Sequence, residues 1–180
     1  MAHTMSFAVE DYVLNDVPVG ELGLWMVMAG YFGVPVVMVS GDQAACDEAK
    51  ALAPGIEAAA VKTGINRGSA RGLTKEENSV FNSVAIHLHP DQARTMIRAH
   101  AYRAVKRIPE IAPYRMEPPF KLVISTRREE GKKAGEEHVR KANDFLDLVL
   151  ERKRTASPAR PKARRKPAPK PGGKKTRKRR

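Results

Sequence analysis

The chain contains a single cysteine, Cys46, in 180 residues. One thiol excludes an intramolecular disulfide framework and a cysteine-based zinc finger, and Cys46 is expected to be a reduced, inert residue. No apolar stretch reaches the roughly 18 residues that a membrane helix needs, so no membrane partner is expected. The start has no basic segment followed by an apolar one, so no secretory signal is visible and a soluble, cytoplasmic protein is expected. Acidic residues are missing from one whole region. Residues 152–180 hold 15 Lys or Arg and five Pro, with no Asp, no Glu and no aromatic residue. Removing those 15 from the 33 basic residues leaves 18 against all 20 acidic residues in 1–151, a net charge of −2. The formal +13 of the chain therefore belongs to a tail and not to a basic domain.

Two units follow. Residues 1–151 are long enough for one domain with a core of its own. Residues 152–180 cannot offset their ordering entropy by burial, and a disordered basic tail is expected. Two readings of the tail stay open: nonspecific nucleic acid contact by counterion release, or a solubilising extension without a partner. With no aromatic residue to stack on bases, sequence-specific recognition is not expected.

Within the body, Ser6–Leu14 reads as an imperfect strand, broken by Asn15 and Asp16, with Pro18 and Gly20 supporting a turn. Glu21–Tyr31 is apolar on most sides and reads as a buried helix ending near Gly33. Val34–Ser40 is a continuous β-branched run, as in a strand buried on both faces of a parallel sheet. Asp42 can cap an Ala-rich helix, Gln43–Ala53, before a short strand at Ala58–Lys62. Strand, helix and strand with short turns form a right-handed βαβ unit.

Gly64–Asn82 is expected to be a loop with about one helical turn, and Val84–Leu88 a short apolar segment. Pro90 opens a helix over Asp91–Ile108. Phe120–Ser125 alternates as a strand, and Glu136–Glu151 is expected to form an amphipathic helix. The class is α/β: a partly parallel sheet with flanking helices, plus the basic tail.

The chemistry-bearing residues are few. His87 and His89 share a face if they lie on a strand, which permits a common metal; the alternative is a strand end running into the Pro90 helix. His100 falls on the apolar face of its helix and is expected to be a satisfied core residue, and His138 is expected on a solvated helix face. Asp16 and Glu21 bracket the turn NDVPVGE. A carboxylate at Glu21 suits a helix N-terminus, either as a cap or as a metal ligand or acid–base group. Gly64–Gly72 is rich in Gly and Arg and could embrace an anion, but it lacks P-loop spacing.

Four segments then carry a resemblance: MAHTMSF, LNDVPVGELGL, AGYFGVPVVMVSGDQAAC and AAVKTGINRGSA. In this order, from about Ala2 to about Ser125, they resemble the D-aminopeptidase family of zinc metallopeptidases. The resemblance implies a metal-dependent aminopeptidase that releases N-terminal D-amino acids from short peptides. It also implies a two-zinc (Zn2+) site and a ring-like homo-oligomer. It places Glu21 as a zinc ligand and His3 as the catalytic nucleophile or base.

Zinc takes carboxylate and imidazole ligands, and an imidazole can move the proton that peptide cleavage requires. The family's other ligands, an Asp-x-Glu segment and two histidines, lie upstream of the matching part. This chain is therefore expected to be the C-terminal part of such an enzyme, weak or inactive alone. A noncatalytic scaffold whose tail binds nucleic acid is the alternative, and a hydrolase built on His87 and His89 a third.

Overall fold

The structure is a computed structural model that describes residues 4–66 and 70–151. The segment 152–180, expected to be disordered, lies outside them. Two sheets form. The first is antiparallel, in the order β2-β1-β6-β7, from β1 (Val9–Leu14), β2 (Val17–Val19), β6 (Phe120–Thr126) and β7 (Glu137–Ala142). The second has the order β3-β4-β5, with β3 (Met38–Asp42) parallel to β4 (Glu57–Gly64) and β5 (Ala85–His87) antiparallel to it. The helices are α1 (Glu21–Tyr31), α2 (Gln43–Leu52), α3 (Lys75–Phe81), α4 (Pro90–Lys106) and α5 (Phe145–Val149). The expected α/β class with a partly parallel sheet is what forms. No described helix is long and apolar enough to cross a membrane.

The β1–β2 hairpin turns on Asn15 and Asp16, whose φ angles are +47° and +64°. Asn and Asp tolerate this left-handed region better than other non-glycine residues, and two positive φ values match the twist of a two-residue hairpin. The Asn15 side chain also locks the turn to β6: its Nδ2 donates to the Glu117 carbonyl at 3.1 Å and its Oδ1 accepts from the Lys121 N–H at 2.8 Å. The expected turn at Pro18 is instead the middle of β2. Proline is tolerated there because β2 lies at the sheet edge.

The helix α1 is apolar all round because it serves two cores. Its Leu24 and Val27 join Leu14, Phe120, Phe145 and others against the first sheet. Its Met26 packs with Ala49 of α2 and with Ile56 on the other side. Fully burying one such Leu or Phe side chain contributes about 1.5–3 kcal/mol. Gly30 admits the chain itself, since a Cβ there would lie 1.7 Å from the Tyr114 carbonyl oxygen.

The βαβ unit β3-α2-β4 forms as expected, with the Asp42 side chain accepting from the Ala45 N–H at 2.8 Å. The strand expected at Val34–Ser40 starts later, at Met38, and is not buried on both faces. Val34 is 54% exposed, and β4 is the sole pairing neighbour of β3 among the described residues. The expected helix Glu136–Glu151 is corrected more strongly. Residues Glu137–Ala142 form β7 and pair antiparallel with β6, Val139 opposite Val123. Only Phe145–Val149 is helical, capped by Asp144. A sheet edge offering a full ladder of backbone partners outweighs a modest helical pattern. The expected loop Gly64–Asn82 contains α3, opened by a reciprocal capping box between Thr74 and Glu77.

Candidate functional site

Glu21 is the first residue of α1. Its predecessor Gly20 is extended (φ −88°, ψ −169°) and offers no side-chain cap. The cap comes from elsewhere. Glu48 of α2 reaches across, and its Oε1 accepts from the N–H groups of Gly20 at 2.5 Å and Gly23 at 3.1 Å. A Cβ on Gly23 would sit 2.9 Å from that same oxygen, so glycine leaves room for the carboxylate. Glu48 thus satisfies two N–H groups at the start of α1, while the helix dipole still favours a negative charge at Glu21. Glu21 stands within electrostatic reach of Tyr12. Burial pushes the Tyr12 phenol up, the Arg140 cation opposes this, and Glu21 adds to the rise.

Asp16 is accounted for by the hairpin turn. His3 lies outside the described residues. Its neighbour Thr4 is anchored, with Oγ1 donating to the carbonyls of Ser6 at 2.8 Å and Val9 at 3.1 Å. His87 ends β5, and His89 is the N-cap of α4, its Nδ1 accepting from the Asp91 N–H at 3.3 Å. His100 is half-buried, with Nδ1 2.9 Å from Glu57 Oε2. His138 is exposed as expected, but on β7 and not on a helix. Cys46 is buried, and burial pushes its thiol up, which keeps it protonated and unreactive.

A cavity of about 670 Å³ lies between the start of the described chain, β1, α2 and α3, and Thr4, Glu48 and Arg127 line it. Of the Gly- and Arg-rich loop beside it, residues 67–69 lie outside the described residues, and its far end is held by carboxylates. Arg71 pairs with Asp11 at 2.8 Å, and Glu10 Oε1 accepts from the Gly72 N–H at 2.7 Å. Arg127, with its side chain 7% exposed, donates from Nη1 to the Ala70 carbonyl and stands 3.5 Å from Glu10. Two buried atoms in this cavity wall have no hydrogen-bond partner among the described residues: Glu48 Oε2 and Arg127 Nε. Neither residue carried a signal in the sequence, because each acts on a segment at least 25 positions away.

Zinc takes three or four protein donors. The described residues contain no group of three or more His, Cys, Asp or Glu that could hold a metal. Glu21 suits zinc in kind, but these residues do not make up a zinc centre in number.

The comparisons with known proteins agree with the fold. The family described as D-aminopeptidase matches residues 1–136. The chain is similar to a D-aminopeptidase of Bacillus subtilis (strain 168), with 49% identity over 74 residues, 41% of this chain and 27% of that protein. Among solved structures it is similar to the Zn-dependent D-aminopeptidase DppA from Bacillus subtilis, described as a self-compartmentalizing protease. There the TM-score is 0.64 and the identity 27%, over 83% of this chain and 54% of that one. The chain thus spans about half the length of the solved relative and a quarter of the length of the curated one. Matched over well more than half of its residues, the chain belongs to the D-aminopeptidase family.

Proposed function

We propose that this chain carries the His3- and Glu21-bearing part of a metal-dependent aminopeptidase that releases D-amino acids from the N-termini of short peptides. The observation that carries the reading is the family match over residues 1–136, which includes both positions. The local geometry supports it. Glu21 opens α1, and the capping task that a carboxylate there could serve is already performed by Glu48.

In this reading Glu21 is a zinc ligand and His3 the nucleophile or base, its imidazole holding and moving the proton that cleavage requires. Zinc binding draws on donors beyond the described residues, and the 180-residue chain alone is weak or inactive. The active form is a homo-oligomer in the cytoplasm, in keeping with the self-compartmentalizing relative.

The test is hydrolysis of a D-alanyl chromogenic amide and its L-counterpart, with zinc and with a chelator. It uses the 180-residue chain and a longer form that supplies further ligands. The expected result is zinc-dependent, D-selective turnover in the longer form. Glu21→Ala or His3→Ala should each lower it by about 10²-fold or more, the scale of an acid–base group. Metal-dependent turnover surviving both substitutions would overturn the reading.

The 15 basic residues of 152–180 lie beyond the family match and favour a second reading for that segment, nonspecific contact with nucleic acid. It predicts affinity that falls steeply with salt and vanishes when 152–180 are deleted.

A further inference from the structure

The walls of the 670 Å³ cavity differ in charge balance. On the β1 side, Asp11 is paired with Arg71 at 2.8 Å, and Glu10 faces Arg127 at 3.5 Å. On the α2 side stand Asp47 and Glu48, and neither makes a salt bridge with a cation among the described residues. Asp47 Oδ1 accepts only a neutral donor, Gln43 Nε2, at 2.8 Å. Glu48 spends Oε1 on two backbone N–H groups and keeps Oε2 buried and without a donor among the described residues. Capping alone does not need that second oxygen, and an unsatisfied buried acceptor costs about 1–3 kcal/mol. Arg127, more than nine-tenths buried, also lines the cavity and has its Nε unpaired among the described residues.

We propose that this cavity receives the N-terminal end of a short peptide, with Asp47 and Glu48 as the carboxylates that recognise its α-ammonium group. The inference rests on the aminopeptidase reading and adds the group by which the substrate end is recognised. An ammonium brings the donors and the positive charge that the α2 wall lacks, and hydrogen bonds between ionised partners are the strong ones. A half-enclosed, net-negative cavity concentrates cations over anions. Its size falls within the roughly 300–1,000 Å³ of small-ligand sites. Phe7, Leu52 and Phe81 supply apolar surface for the first side chain. Thr4, next in sequence to His3, lines the same cavity.

The experiment titrates D-alanylglycine and its N-acetyl form into the full 180-residue chain in the presence of a chelator, followed by NMR shifts and calorimetry. The free amine should bind, and acetylation should weaken it about tenfold or more, the loss expected for a charge-assisted hydrogen bond. Affinity should also fall as the pH rises past the α-amino pKa of about 7.7–8.0. Asp47→Asn, at an exposed position where folding is safe, and Glu48→Gln, which keeps the cap, should each weaken the amine and leave the acetylated peptide unchanged. Equal binding of both peptides, binding indifferent to Asp47→Asn and Glu48→Gln, or no binding of the amine overturns the inference. The hydrolysis assay reads the parent proposal separately. D-selective turnover lost in Glu21→Ala, together with equal binding of the acetylated peptide, defeats the ammonium site alone.

Discussion

The two sheets differ in their residues and are held in different ways: the antiparallel one carries Tyr12, Leu14, Phe120 and Leu122, and the mixed one runs through the small residues Ala58, Ala59 and Ala60. The antiparallel sheet is covered on its inner face by α1 and α5, and its cluster includes Leu14, Val19 and Phe145, all fully buried. The mixed sheet has a smaller buried cluster of Met26, Ala49 and Ile56, and its β5 leaves Ile86 66% exposed. What fastens the mixed sheet to α4 is partly ionic. Glu57 of β4 meets His100 at 2.9 Å, Arg103 at 3.2 Å and Arg107 at 3.2 Å. The lesson is that one half of the molecule is organised by apolar burial and the other by polar caps and charge. The two should respond to different perturbations.

The sharpest way to break the contrast is Phe145→Ala. This ring is fully buried and stacks edge-on against Phe120 at 5.4 Å between centroids. Its loss should cost about 3–5 kcal/mol, measured by urea unfolding, because a large cavity opens in the first core. A cost under about 1 kcal/mol would show that this core is not what holds the antiparallel sheet.

The next test is acid. Burial works to raise the Glu57 carboxyl, but the hydrogen bonds and charge of Arg103, with Arg107 and His100, outweigh it and leave it lowered. A carboxyl lowered in the folded state stabilises above its unfolded pKa of about 4.3, and that stability is lost as the pH falls through the folded value. The β4–α4 contact should therefore weaken in acid, seen as loss of amide protection in α4 below about pH 4 before the first core melts. Glu57→Gln should lower stability at pH 7 by about 1–3 kcal/mol and flatten that acid dependence. An unchanged acid profile would assign the α4 contact to packing.

A smaller effect is expected at the start of α3. Thr74 accepts from the Glu77 N–H at 3.2 Å while Glu77 accepts from the Thr74 N–H at 2.7 Å. Thr74→Ala should cost about 1 kcal/mol, read by thermal unfolding. Smallest of all is Ile86→Ser on the exposed face of β5, expected within about 0.5 kcal/mol of the parent.

The same contrast separates what could be read in the sequence from what could not. The βαβ unit was legible because Asp42, the Ala-rich helix and the flanking apolar runs are local signals. So was α4, opened by Pro90. The segment Glu136–Glu151 was not, since its backbone finds partners on β6, more than ten positions away, and a local period cannot register that. The Thr74–Glu77 pair was a readable start signal for α3, hidden in a polar, Gly-rich stretch. For the proposed site, the turn and helix start marked Glu21 as a cap or ligand candidate, the family resemblance singled it out as a ligand, and His3 came from the resemblance alone. Glu48 was not legible at all, because its role depends on folding α2 against the first turn of α1, 28 positions away.

The most direct measurement of the central claim is the turnover of a D-alanyl amide by the zinc-loaded longer form, compared between the parent and Glu21→Ala. The account predicts D-selective hydrolysis in the parent and a fall of about 10²-fold or more in the variant, with the thermal midpoint nearly unchanged because Glu48 holds the cap. Turnover equal in the two proteins would contradict it.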